Sequence, residues 1–213
     1  MSSLSAIFFD LDGTLVDSSI GIHNGFTYTF EQLGVPSPDG KTIRGFMGPP
    51  LETSFASCLS PDQIELAIQL YRSYYKEKGV YEAQLFPQIK ELLAELAQQY
   101  PLYITTTKNT PTAVHMTAHF EIDHFFAGIY GSSPQVVHKA DVIRQALACH
   151  NLDPERVVLI GDTKFDMIGA QETGLKKLAV TWGFGDEKDL MTYQPDWVAH
   201  QPADILRQLQ LKS

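Results

Sequence analysis

The stretch that most constrains what this chain can fold into is Ala6-Ile7-Phe8-Phe9-Asp10-Leu11-Asp12-Gly13-Thr14-Leu15. Its apolar run, rich in Ile and Phe and closed by a glycine, reads as a buried strand. The run ends in two aspartates separated by a single leucine, with Gly-Thr directly behind them. In an α/β sheet, ligands bind beyond the carboxyl ends of strands, which is where Asp10 emerges. Two acids at that place are costly for a core and useful for chemistry. Gly13 lets the backbone leave strand geometry, so both carboxylates can turn toward one space. One can then serve as an anionic nucleophile or metal ligand while the other works as acid and base. The plainer alternative is a strand followed by an acidic turn, since Asp-Gly is common turn chemistry. The apolar run in front and Gly-Thr behind favour the catalytic alternative.

The chain after this motif splits into two rhythms. Asp17 or Ser18 can cap a helix reaching to about Leu33, where Gly34-Val35-Pro36 stops it. Ile20, Phe26, Tyr28 and Phe30 give that helix its apolar surface. Pro36 to about Pro50 reads as a loop rich in Gly and Pro. Ser60-Pro61-Asp62-Gln63 is a helix start with a cap, a proline in the first turn and a glutamine in the box position. Ile64, Ile68, Tyr71 and Tyr75 then recur at helical spacing until Gly79. No strand pattern interrupts this block, so it reads as an all-helical insert. From Phe86 the rhythm alternates. A helix carrying Ile89, Leu92, Leu93 and Leu96 leads to a strand over 102–106, and a second strand follows over 125–130. Another helix runs from about Lys139 to His150, then a strand over 157–160 ends in Gly161-Asp162. A further helix closes at Gly174, and Leu178-Ala179-Val180 is a fifth strand candidate. Alternating strands and helices imply a parallel α/β sheet with right-handed crossovers. The expected organisation is a sheet-forming core of 1–16 and 84–213 with a helical domain at 17–83.

Composition narrows the function. A length of 213 residues suits one large domain, or a core with a smaller insert. A net charge of −9 without a basic cluster argues against a nucleic-acid footprint. No basic-then-apolar leader and no membrane-length apolar stretch is visible, so a soluble cytoplasmic protein is expected, with no membrane partner. Cys58 and Cys149 are too few and too far apart for a metal clip or disulfide framework. The seven histidines show no metal-ligand pairing, which makes a zinc site an unattractive expectation.

Several strand ends carry groups suited to phosphate chemistry: Asp10 and Asp12 on the first, Thr106 with Thr107-Lys108 behind it on the second, and Asp162 on the fourth. Lys139 sits at a helix start and Asp166 lies four residues beyond Asp162. With Phe9-Asp10-Leu11-Asp12-Gly13-Thr14, Thr106, Lys139 and Gly161-Asp162-Thr163-Lys164-Phe165-Asp166 in this order, the sequence resembles the haloacid dehalogenase superfamily, specifically its phosphatases. The resemblance covers essentially the whole chain. It implies a Rossmann-like, three-layer α/β/α core, with the insert in the place of the family's small α-helical cap.

The resemblance also implies roles. Asp10 would attack phosphorus and form an aspartyl-phosphate. Asp12 would protonate the leaving alkoxide and later take a proton from the hydrolytic water. Magnesium would be held by Asp10, the Asp12 backbone oxygen and Asp162, a carboxylate, carbonyl and water shell that suits this ion. Thr106 and Lys139 would bind phosphoryl oxygens, with Thr107 and Lys108 beside them, and Asp166 would stand behind the metal or Lys139. Arg44 and Gly45, in the loop from Arg44 to Leu51, are the candidate contacts to the leaving group; Arg44 can pair with a carboxylate bidentately or simply face solvent. The partner implied is a small phosphorylated metabolite, with phosphoglycolate the named expectation. The Gly-Pro-Pro-Leu loop also resembles capped 5′-nucleotidases, and a sugar phosphomutase of the β-phosphoglucomutase kind would keep the same acids. A carbon–halogen dehalogenase would need neither Asp12 nor the metal. Thr181-Trp182-Gly183-Phe184-Gly185 reads as a loop beside the site or a packed turn, and packing is the expectation. Oligomeric state is not legible in the sequence.

Overall fold

The computed structural model describes residues 4–209. The expected core span also takes in 1–3 and 210–213, which lie outside the described residues. The chain divides into two compact units, with the division at Val16/Asp17 and again at Gln84/Leu85.

The first unit is built on a six-stranded sheet. Its strands are β1 (Ala6–Phe9), β2 (Leu102–Asn109), β3 (Phe126–Ser132), β4 (Val157–Gly161), β5 (Lys176–Val180) and β6 (Trp197–Ala199). Their spatial order is β3-β2-β1-β4-β5-β6 and every pairing is parallel. All residues of β1 and β4 are buried, which is why both read as continuous apolar runs and not as alternation. Helices Lys139–His150 and Lys164–Thr173 supply Ile143, Ala146, Leu147 and Ala170 to a cluster with Ala6, Phe8, Tyr103, Val157 and Leu159. The chain runs outward from β1 to β3, then returns to β4 on the other side of β1. The β1/β4 gap is therefore the point where strand order reverses, the place where open α/β sheets bind ligands. Phe9 lies opposite Ile160 in the ladder, so Asp10 and Gly161-Asp162 follow side by side at the ends of β1 and β4.

The second unit is helical. It contains Ser19–Gln32, Gly40–Arg44, Leu51–Ala56 and Pro61–Glu77, with a 3-10 turn at Gly79–Tyr81. Phe26 is its hub, with ring centroids of Phe46, Phe55 and Tyr71 at 4.9, 5.0 and 4.9 Å. Tyr71 and Tyr75 are buried there, 7% and 2% exposed, so the tyrosine stripe is core. Gly21 and Gly25 on the first helix let Gly79 and the Tyr71 ring approach closely.

Several local expectations need correction. The stretch from Pro36 to Pro50 is not a plain loop: Asp39 accepts from the Thr42 amide at 2.7 Å and starts the short helix Gly40–Arg44. Its apolar content, mainly Ile43, is too small to leave a periodic signature. Ile20 is 62% exposed and adds nothing to the helical core. Helix Thr110–His119 and strand β6 were not anticipated. Three residues are too few for β6 to show a period, and Thr-Pro-Thr at the helix start reads as turn chemistry although Asn109 caps it at 3.0 Å.

Phe26 is fully buried, so Phe26→Ala leaves a cavity that three neighbouring rings cannot all collapse into. A loss of about 3–5 kcal/mol is expected, read as a lower urea midpoint at unchanged slope.

Candidate active site

The site begins where β1 stops. Asp10 continues the ladder, its amide donating to the Ile160 carbonyl at 2.9 Å, and the residue is 8% exposed. Gly13 then takes φ +81°, and a Cβ there would stand 2.2 Å from Asp162 Oδ2. Both the turn and the closeness to β4 demand glycine at this position. The turn sends Asp12 elsewhere: its carboxylate meets Lys108 Nζ at 3.1 Å.

Lys139, the first residue of its helix and 5% exposed, lies between two acids. Its Nζ is 2.6 Å from Asp10 Oδ1 and 2.7 Å from Asp166 Oδ1. The other oxygen of Asp166 accepts from the Thr163 amide at 2.9 Å and the Thr163 hydroxyl at 2.8 Å, the capping box of helix Lys164–Thr173. Asp162 is fully buried; Thr14 Oγ1 donates to its Oδ1 at 2.9 Å and the Phe184 amide to its Oδ2 at 2.7 Å.

Thr106 is buried on β2, and its hydroxyl accepts from the Lys108 amide at 3.2 Å. The strand does not end there. It continues to Asn109 through a register irregularity between Thr105 and Asn109, and such bulges re-aim side chains near sites. Thr107 and Lys108 sit half-buried in that irregular segment. The structure thus brings Asp10, Lys139, Asp162 and Asp166 into one network, with Asp12 and Lys108 as a second pair. Arg44 and Gly45 belong to the helical unit, where both are exposed at the end of Gly40–Arg44.

Sequence reasoning missed Thr14 and the Phe184 amide. Thr181–Gly185 is more than a packed turn, since its backbone grips Asp162. The legible signal was the glycine on each side of Phe184, spacing that suits close backbone approach.

The electrostatics follow from burial. Burial pushes the Asp10 carboxyl from its ordinary 3.8 up to about 7, against the pull of Lys139 and with a further push from Asp166. Burial likewise raises Asp162 well above the ordinary value, with Asp166 and Asp10 adding to it and the Phe184 and Thr14 contacts opposing it. For Lys139, burial works to lower the pKa, but Asp10 and Asp166 outweigh it and the result is raised. Three carboxylates share the space with one ammonium. Asp10, Asp162 and Asp166 can each offer an oxygen, and these oxygens lie within 4.8 Å of one another. An all-oxygen, net-negative, buried donor set fits a hard divalent cation. The Asp12 carboxylate is not one of that set and meets Lys108 Nζ instead.

The haloacid dehalogenase-like hydrolase family matches residues 7–180. The chain belongs to this family. A 5′-nucleotidase of Pseudomonas aeruginosa is 36% identical over 210 residues, covering 95% of this chain and 94% of the relative. A phosphoglycolate phosphatase of Photorhabdus laumondii is 26% identical over 224 residues, covering 100% and 95%. Among solved structures, a haloacid dehalogenase-like family hydrolase from Streptococcus pneumoniae shares 70% identity at a TM-score of 0.93, over 97% of this chain and 99% of that one. The parallel sheet with an inserted helical unit is thus the fold of haloacid dehalogenase-like hydrolases. No helix among the described residues is long and apolar enough to cross a membrane.

An acid with a raised folded pKa binds more protons folded than unfolded between the two values, so metal-free stability falls as pH rises across that window. For Asp10 the window runs from 3.8 to about 7. Urea unfolding of chelated protein at several pH values should therefore show a downward contribution across this range, flattened in Asp10→Asn. An unchanged pH slope in Asp10→Asn would remove Asp10 from this account.

Proposed function

We propose that this haloacid dehalogenase-like hydrolase is a magnesium-dependent phosphatase that cleaves a small phosphomonoester through an aspartyl-phosphate. The observation that carries this is the pairing at the end of β1: Asp10 gripped at 2.6 Å by a buried lysine, and a second acid held apart from it on a different lysine. Lys139 opposes the burial that raises the Asp10 carboxyl, and the Asp12 carboxylate meets Lys108 instead, so the two acids sit in different surroundings and can take different roles. That is the division of labour that two-step phosphoryl transfer requires.

In the first step an Asp10 oxygen attacks phosphorus, the bond to the leaving oxygen breaks, and Asp12 supplies its proton. In the second, water attacks the aspartyl-phosphate and gives its proton to Asp12, releasing phosphate and restoring Asp10. Lys139 orients Asp10 and offers its charge to the phosphoryl oxygens, joined by the Thr106 hydroxyl. Asp10, Asp162 and the Asp12 backbone oxygen would hold the ion, which supplies positive charge against the repulsion between Asp10 and a phosphate. Asp166 keeps Lys139 aimed. Full loss of phosphate release in Asp10→Asn, and a strict need for a divalent ion after chelation, are the expected results. Near-native turnover in Asp10→Asn, in a preparation free of wild-type enzyme, would sink the assignment.

We further propose that residues 17–83 act as a cap that sets the leaving group, with Arg44 and Gly45 among its contacts. Phosphoglycolate is one candidate, since Arg44 suits a carboxylate. A nucleoside 5′-monophosphate is the second, favoured by the nucleotidase's 36% identity against 26% for the phosphoglycolate phosphatase. A phosphate-release screen over both, sugar phosphates and an aryl phosphate tests the choice.

Arg44→Ala and Thr106→Ala should part company in that screen. Loss of a charge-assisted contact is worth about 1.5–3 kcal/mol, so Arg44→Ala should lower kcat/KM on the preferred substrate far more than on an aryl phosphate. Thr106→Ala should hurt every substrate alike. Equal losses for Arg44→Ala across substrates would move specificity to other positions.

A further inference from the structure

We propose that the loop Thr181-Trp182-Gly183-Phe184-Gly185 is a positioning element for the Asp162 carboxylate, and that Trp182, acting through Thr14, sets how tightly the site holds its divalent cation. The inference rests on the magnesium reading above and adds residues to it that lie outside the acids themselves.

Four contacts make the case. The loop starts from a fixed point, with the Thr181 amide donating to the Ala199 carbonyl of β6 at 3.1 Å. The Trp182 indole Nε1 donates to the Thr14 carbonyl at 3.1 Å, and its ring packs edge-on to Phe86 with centroids 6.5 Å apart. Thr14, 1% exposed, turns its hydroxyl to Asp162 Oδ1, while the Phe184 amide holds Oδ2. Both oxygens of one carboxylate are thus held, one by the hydroxyl of a residue whose carbonyl the indole anchors and one by the backbone of the loop that carries the indole.

The glycines say that this approach is tight. A Cβ on Gly183 would stand 2.3 Å from Asp162 Oδ2 and 2.3 Å from the Gly13 carbonyl. One on Gly185 would stand 2.1 Å from the Asp162 carbonyl. The loop therefore touches Asp162 at side chain and backbone, leaving no room for slack. A carboxylate has about four lone-pair sites, so two neutral donors fix its plane and still leave it able to ligate. Partners that orient a ligand in this way tune metal affinity without touching the metal.

The test is manganese binding to the intact, substrate-free protein, followed by electron paramagnetic resonance of free Mn²⁺, with thermal midpoints for every variant. Thr14→Val keeps the shape and removes the hydroxyl; it should weaken Mn²⁺ binding by about tenfold or more. Thr14→Ser, which restores the donor, should bring affinity back toward wild type, a rescue that a packing role for Thr14 would not give. Trp182→Phe keeps ring packing and removes the indole donor, and should weaken binding in the same direction by a smaller factor. It also decides the matter if Thr14→Val does not fold. Wild-type affinity in Thr14→Val and Trp182→Phe, with Asp162→Asn impaired, overturns this proposal alone. A wild-type protein that binds no Mn²⁺, or an Asp162→Asn variant that binds it as wild type does, overturns the metal reading and this inference with it.

Discussion

Everything at the end of the sheet depends on burying one ammonium among three carboxylates. Lys139 cannot be 5% exposed unless its charge is answered, and Asp10 and Asp166 answer it at 2.6 and 2.7 Å. Removing one partner of a buried pair costs about 3–5 kcal/mol, because the other charge is left uncompensated. Yet the account does not balance with the protein's own groups. Asp162 is fully buried with neutral donors only, and its pKa is raised well above the ordinary value. The fold gathers acids where water cannot screen them, a strain that either a proton or a bound cation can relieve.

Much of this was legible in the residues. β1 and β4 are fully buried, so their apolar runs are unbroken, and the acids that end them stand out against that background. The helix expected from about Lys139 to His150 is found at Lys139–His150, and Asn151, at φ +50°, ends it. Less legible was anything carried by backbone. The hold on Asp162 comes from an amide, and an amide has no letter in the sequence. Likewise Lys108 reads as a substrate contact, while its pairing with Asp12 depends on a register irregularity that no side-chain pattern encodes. The short helices Gly40–Arg44 and Leu51–Ala56 escaped for a third reason, since five or six residues are too few to show a period.

Lys139 also sits at the unfavourable end of its helix. A cation in the first turn opposes the macrodipole, at a cost of about 0.3–1 kcal/mol when exposed. The two acids more than offset this, and the arrangement leaves helix N-terminus and ammonium both directed at the end of β1. Both counter part of the negative charge that Asp10, Asp162 and Asp166 gather there.

Asp166 has a consequence for anyone scanning this protein by mutation. One of its oxygens caps a helix through Thr163, and the other holds the Lys139 ammonium of a neighbouring helix. Alanine there erases both jobs, so a survey scored by abundance would file the position under folding, and one scored by turnover would file it under chemistry. Asparagine separates the two, since its amide oxygen still caps while its charge is gone. At such a residue, the category a screen reports is a property of the substitution chosen and not of the side chain.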